Sequence, residues 1–196
     1  MNFLAHCALG SEHPDYLVGG FLGDFIKGHV PTDLSERIRT GVRLHRRLDA
    51  YSAVQPDIKT SVARLPSSMR RVAPIFIDLV ADHFLARHFE SVHAEPLAVF
   101  SNRTYSTLAS HCDQFPPPAR RFFYFLREHD LFGRYVGVDA VERAFCRIGE
   151  RLSLDGIVTP AMTSLRDNYG DFEADFLRYY PALQQHAEQW LADAGS

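Results

Sequence analysis

Lysine is nearly missing from this chain: of 21 basic residues, only Lys27 and Lys59 are not arginine. Its positive charge is therefore carried by guanidinium, whose forked donors suit carboxylate and phosphate, although a GC-rich genome yields the same bias. Cysteine is also scarce, with Cys7, Cys112 and Cys146 odd in number and far apart. No CxxC pair is present, which excludes a disulfide framework or a thiolate metal site and leaves reduced thiols as the expectation. There is no run of 18 uncharged apolar residues, and "MNFLAHCALG" has neither the basic leader nor the long apolar centre of a secretory signal. A cytoplasmic protein that neither crosses a membrane nor is exported is expected. Neither sign of charge dominates, with 21 Lys+Arg against 24 Asp+Glu and a net −3. That balance argues against wholesale nucleic-acid binding and against a disordered acidic tail.

Alternating β-type runs bounded by hairpin dipeptides are missing too, and what replaces them is helical periodicity. Apolar residues recur at three- and four-residue spacing, as in Val72, Ile75, Phe76, Leu79 and Val80. At 196 residues and 46% hydrophobic, the chain predicts one all-α domain, residues 1–196, built as a helical bundle. Helices are expected near 2–9, 15–27, 32–54, 67–92, 96–111, 117–130, 138–152 and 160–192. "HPDY", "KGHVPTDLSE" and "QFPPPAR" combine proline with capping residues and mark three of the starts. Pro74 should sit in a first turn or kink its helix, and Pro181 should break or bend the last one. In "FPPPARRFFYF", Arg120 and Arg121 stand beside aromatics, a pattern better explained by core packing than by RNA binding. "WLADAGS" reads as a frayed end.

Four segments carry polar groups where the pattern wants apolar ones. "VAPIFIDLVADHFLARHF" is apolar on nearly every side, yet it holds Asp78, Asp82 and His83. Burying a lone carboxylate is costly, so such groups must neutralise, pair or bind a cation. Asp78 and Asp82 are one turn apart, with His83 about 100° round the helix. The other segments supply His6 in "MNFLAHCAL", Asp24 in the glycine-rich "LVGGFLGDFIKG", and His45 with Asp49 in "RLHRRLDAY". Glycines 19, 20 and 23 predict that another helix or a substrate lies close to that face. Each group alone fits a core histidine or an ion pair. Together the mixed nitrogen and oxygen donors suit Mn²⁺, Fe²⁺, Mg²⁺ or Zn²⁺. Helices that pool His and Asp ligands are also the layout of HD-type metal phosphohydrolases, although "DH" at 82–83 reverses the usual order.

The stretches "MNFLAH" (1–6), "LVGGFLGDFIKG" (17–28), "GVRLHRRLDAY" (41–51) and "RRVAPIFIDLVADHFLARHF" (70–89) closely resemble the bacterial acyl carrier protein phosphodiesterases. The likeness extends more loosely to "LRDNYGDFEADFLRYYP" (165–181). The resemblance implies an HD-domain-like fold and removal of 4′-phosphopantetheine from holo acyl carrier protein with a divalent metal, typically Mn²⁺, with Mg²⁺ or Fe²⁺ as substitutes. On that basis Asp24, Asp82 and His83 are expected as metal ligands, with His6, His45 and Asp78 completing or orienting the set. Arg46 is expected on the phosphoryl oxygens, and Asp49 either as a ligand or as the group that holds the His45 tautomer. The catalytic set is thus Asp24, His45, Arg46, Asp82 and His83. Arg43, Arg47, Arg70 and Arg71, with Arg46, are expected to face an acidic carrier protein. Two other readings fit the residues: an HD-like enzyme acting on nucleotides or other small phosphate esters, and a non-catalytic helical protein that binds an acidic partner.

Overall fold

A computed structural model describes residues 1–154 and 156–194. Among them are eleven α-helices and no strand: α1 (Phe3–Leu9), α2 (Pro14–Leu22), α3 (Glu36–Ser52), α4 (Pro56–Ala63), α5 (Ala73–His93), α6 (Leu97–His111), α7 (Pro117–Glu128), α8 (Leu131–Arg134), α9 (Val138–Leu152), α10 (Val158–Asp167) and α11 (Tyr169–Ala194). The all-α expectation holds. None of these helices is long and apolar enough to cross a membrane. Cys7, Cys112 and Cys146 are all free thiols.

Local chemistry explains the starts. Pro14 begins α2, and the His13 ring accepts a hydrogen bond from the Asp15 amide at 3.1 Å. Ser35 caps α3 by accepting from the Ile38 amide at 3.2 Å, so this helix begins at Glu36 and not at residue 32. Pro74 sits in the first turn of α5, where its missing N–H costs nothing.

Several elements depart from expectation. α4 was not foreseen, because Ser61 is its one buried residue and no apolar stripe announces it. The expected helix over 160–192 is two helices that meet at Asn168, and it runs through Pro181 without a break. A proline removes a single hydrogen bond, and the buried Tyr179, Tyr180 and Leu183 hold that turn by packing.

α5 is the axis of the core. Phe76, Phe84 and Phe89 on it are fully buried, and α1, α4, α6, α9 and α11 pack round it. Phe123 of α7 is likewise buried, while Arg120 donates to the carbonyls of Cys112 (3.1 Å) and Asp113 (2.7 Å). That stretch is therefore a packed helix and its stitched entry turn.

α2 and α3 touch through their backbones. A Cβ on Gly19 would lie 2.2 Å from the Ile38 carbonyl oxygen and 2.6 Å from the Gly41 Cα. On Gly20 it would lie 2.6 Å from the carbonyl oxygen of His6, and on Gly23 2.2 Å from the His45 ring. The glycines of "LVGGFLGDF" thus bring α1, α2 and α3 to one place.

Candidate metal centre

That place holds two histidines. His6 from α1 and His45 from α3 are both buried, and their rings stack at 3.6 Å between centroids. His45 Nδ1 lies 2.8 Å from the Gly20 carbonyl oxygen. A carbonyl only accepts, so Nδ1 carries the proton and the lone pair sits on Nε2. Nε2 faces Asp49 Oδ2 at 3.3 Å and Asp24 Oδ1 at 3.9 Å. A lone pair opposite two carboxylates calls for a cation or a proton between them. His6 Nε2 lies 3.0 Å from Asp49 Oδ1 and 3.1 Å from the Met1 carbonyl oxygen, while its Nδ1 is buried without any hydrogen-bond partner.

Three carboxylates open this buried floor to solvent. The side chains of Asp49, Asp24 and Asp78 are 48%, 40% and 39% exposed. Asp24 lies in the turn after α2, Asp49 one turn beyond His45, and Asp78 on α5. Asp78 Oδ1 is 3.0 Å from the Met1 α-ammonium, which also lies 3.5 Å from Asp49 Oδ1.

Electrostatics follow the geometry. Burial drives the His6 pKa down to about 3, helped by the neighbouring His45. Burial pulls the Asp49 carboxyl upward, but the facing ring nitrogens of His45 and His6, with the Met1 ammonium, prevail and hold it well below the usual carboxylate range. Burial raises Asp78, the Met1 ammonium opposes it, and the carboxylates of Asp49 and Asp24 add to the rise.

These groups fit a divalent ion. Donor atoms of His6, His45 and Asp49 lie within 4.8 Å of one another. Two ligands on one ion, at bonds of about 2.1 Å, stand at most about 4.2 Å apart, so a small inward shift suffices. The His6 Nε2 that faces Asp49 and the carbonyl-oriented His45 ring are what a nitrogen and oxygen site needs.

The structure does not bring Asp82 and His83 into this cluster. Both oxygens of the fully buried Asp82 accept backbone amides at the start of α1, Leu4 at 2.9 Å and Ala5 at 3.1 Å. Burial nevertheless pushes its carboxyl up to about 7. His83 points elsewhere, with Nδ1 2.7 Å from the Tyr135 carbonyl oxygen and Nε2 2.8 Å from the Tyr169 hydroxyl. Adjacent helical residues diverge by about 100°, so α5 sends the two side chains to different neighbours.

Among the arginines, Arg46 donates to the Ile26 carbonyl at 2.7 Å and ties down the turn that carries Asp24. Arg43 is paired with Glu36 at 2.7 Å, and Arg47 reaches His186 at 3.3 Å. Arg70 and Arg71 are exposed just before α5. The role of the Gly20 carbonyl in orienting His45 was invisible in the sequence, since any residue supplies a carbonyl.

The profile of a family described as acyl carrier protein phosphodiesterase matches residues 1–183. Curated relatives of that name include proteins from Serratia proteamaculans (28% identical), Pectobacterium atrosepticum (29%) and Enterobacter sp. strain 638 (30%). Each alignment covers 96% of this chain and 98% of the relative. No solved structure matches. With the profile spanning nearly the whole chain, cluster included, the chain belongs to the acyl carrier protein phosphodiesterase family.

Proposed function

We propose that this protein hydrolyses the phosphodiester that joins 4′-phosphopantetheine to the serine of holo acyl carrier protein, and that it uses a divalent ion, Mn²⁺ first among candidates, with Mg²⁺ or Fe²⁺ as substitutes. The observation that carries this reading is the stacked His6–His45 pair beneath three open carboxylates, in a chain of this family. His6, His45 and Asp49 would hold the ion, with Asp24 and Asp78 at its edge. Bound there, it would offset the charge of the diester and make water acidic enough to attack near neutral pH.

The chain's own groups do the rest. The water oxygen forms a bond to phosphorus, and the bond from phosphorus to the serine oxygen breaks. Asp24, exposed opposite His45, takes the proton of the attacking water and then releases it to solvent, while the serine oxygen takes up one proton from solvent as it leaves. The products are apo carrier protein and 4′-phosphopantetheine, which together account for the added water. Arg46 steadies the Asp24 turn, and its remaining donors suit a phosphoryl oxygen. Asp82 positions His6 indirectly by holding the first amides of α1. The exposed arginines, Arg47, Arg70 and Arg71 among them, complement an acidic protein substrate.

Mass spectrometry of holo carrier protein incubated with the enzyme and Mn²⁺ tests the reading. Loss of the phosphopantetheine mass, its abolition by chelator and its return on adding metal are expected. An unchanged mass with every divalent ion overturns it.

A further inference from the structure

Beside the cluster lies a cavity of about 420 Å³ between the start of α1 and helices α5, α7, α8 and α9. Its walls are Phe3, Phe122, Phe125, Leu131 and Ile148, each only partly buried. Half-buried aromatics round an open trough are an unusual use of apolar surface in a chain whose other phenylalanines are largely packed away. A neighbouring hollow of about 130 Å³ shares Phe125, Leu131, Tyr135, Ala144 and Arg147, so the two form one trench.

Three residues of the trench stand next to the candidate metal centre along the chain or through one ring contact. Asn2, at its inner end, separates Met1 from Phe3, and its amide donates to the Tyr135 hydroxyl at 3.0 Å. Leu79, on its floor, follows Asp78. Phe3 stacks on Phe25 at 5.8 Å, and Phe25 follows Asp24. At the mouth stand Arg147 and Arg151, both exposed, with the Arg147 guanidinium 4.6 Å from the centre of the Phe125 ring. Among the described residues neither has a carboxylate partner.

We infer that this trench is the binding site of the pantetheine arm, an inference that rests on the function proposed above. The volume falls in the range of about 300–1,000 Å³ used for small organic ligands. The arm carries phosphate at one end, then a branched hydrocarbon and two amides. Phosphate belongs at the metal centre, the dimethyl-bearing carbons next, against Phe3 and Phe122 beside Asn2, and the amides beyond them towards Ile148 and the arginine rim. The scissile bond then lies where the trench meets the carboxylates, and the carrier protein stays outside. A second cavity of about 350 Å³ borders Phe25 from the other side and is lined by Leu34, Lys27 and His29, so it serves as the comparison.

Calorimetric titration of 4′-phosphopantetheine into the Mn²⁺-loaded protein tests this without any turnover. Ile148→Trp and, as an independent filling variant, Ala144→Trp should bind at least tenfold more weakly than wild type, and Leu34→Trp should bind like wild type. Circular dichroism and thermal melting confirm that each variant is folded. Undiminished binding in both trench variants, loss in Leu34→Trp alone, or no binding by wild type overturns the inference. The proposed reaction fails separately, if wild type leaves the mass of holo carrier protein unchanged.

Discussion

Two kinds of carboxylate are built into the same helical core. Asp82 and Asp175 have no exposed surface, and donors from the protein occupy them fully: Asp82 has two α1 amides, and Asp175 has Ser61 at 2.7 Å together with the guanidinium groups of Arg64 and Arg178. Asp24, Asp49 and Asp78 keep about two-fifths or more of their side-chain surface open; the first two face buried histidine nitrogens, and Asp78 faces the Met1 ammonium. The closed pair ties helices together, α5 to α1 and α4 to α11. The open trio shares one fixed cation, the Met1 ammonium, which suits the proposed role of these groups.

The sharpest way to break this comparison is to remove one carboxylate of each kind. Asp49→Ala should cut carrier-protein hydrolysis by roughly a thousandfold, the scale on which charge-stabilising groups act, while the melting temperature shifts by only a few degrees. Equal losses of fold and activity would erase the distinction between the two classes. Asp175→Ala should do the opposite. Stranding Arg64 and the Ser61 hydroxyl should cost about 3 kcal/mol, seen as a melting temperature lower by roughly 10 °C, with the specific activity of folded enzyme unchanged.

A smaller effect probes a partly buried polar group. His93 lies 2.8 Å from the Tyr180 hydroxyl, and burial lowers its pKa to about 4 from an ordinary 6.5. The folded state therefore binds fewer protons than the unfolded chain, so this contribution is fully present above pH 6.5 and is lost as pH falls through 4. In His93→Phe, denaturant midpoints should fall less steeply between pH 6.5 and 4 than in wild type. An unaltered slope would show that His93 carries none of that dependence.

The helical class was legible because α7 and α9 bury regular apolar stripes and α5 is apolar nearly all round. α4 was not, because it is attached by Ser61 and the neighbouring Arg64 to a carboxylate more than a hundred residues away. The site was legible in part. The four-residue spacing of His45 and Asp49 put them on one face of α3, and the glycines near Asp24 announced a close neighbour. Asp82 and His83 misled because periodicity shows which side of a helix a group leaves from and not what it meets. Asp82 meets main-chain amides and His83 meets Tyr135 and Tyr169, partners that no local pattern encodes.

The contact of α2 with α3 at Gly19 and Gly41 has a further consequence. Where two main chains touch directly, their separation is set by backbone atoms and cannot be tuned by changing the size of a side chain between them. The distance from Asp24 to His45 is therefore a fixed ruler inside an otherwise adjustable core. Substitutions elsewhere can raise or lower stability while that ruler keeps its length. The smallest residues of the segment are thus among those that set the spacing of the groups proposed to hold an ion.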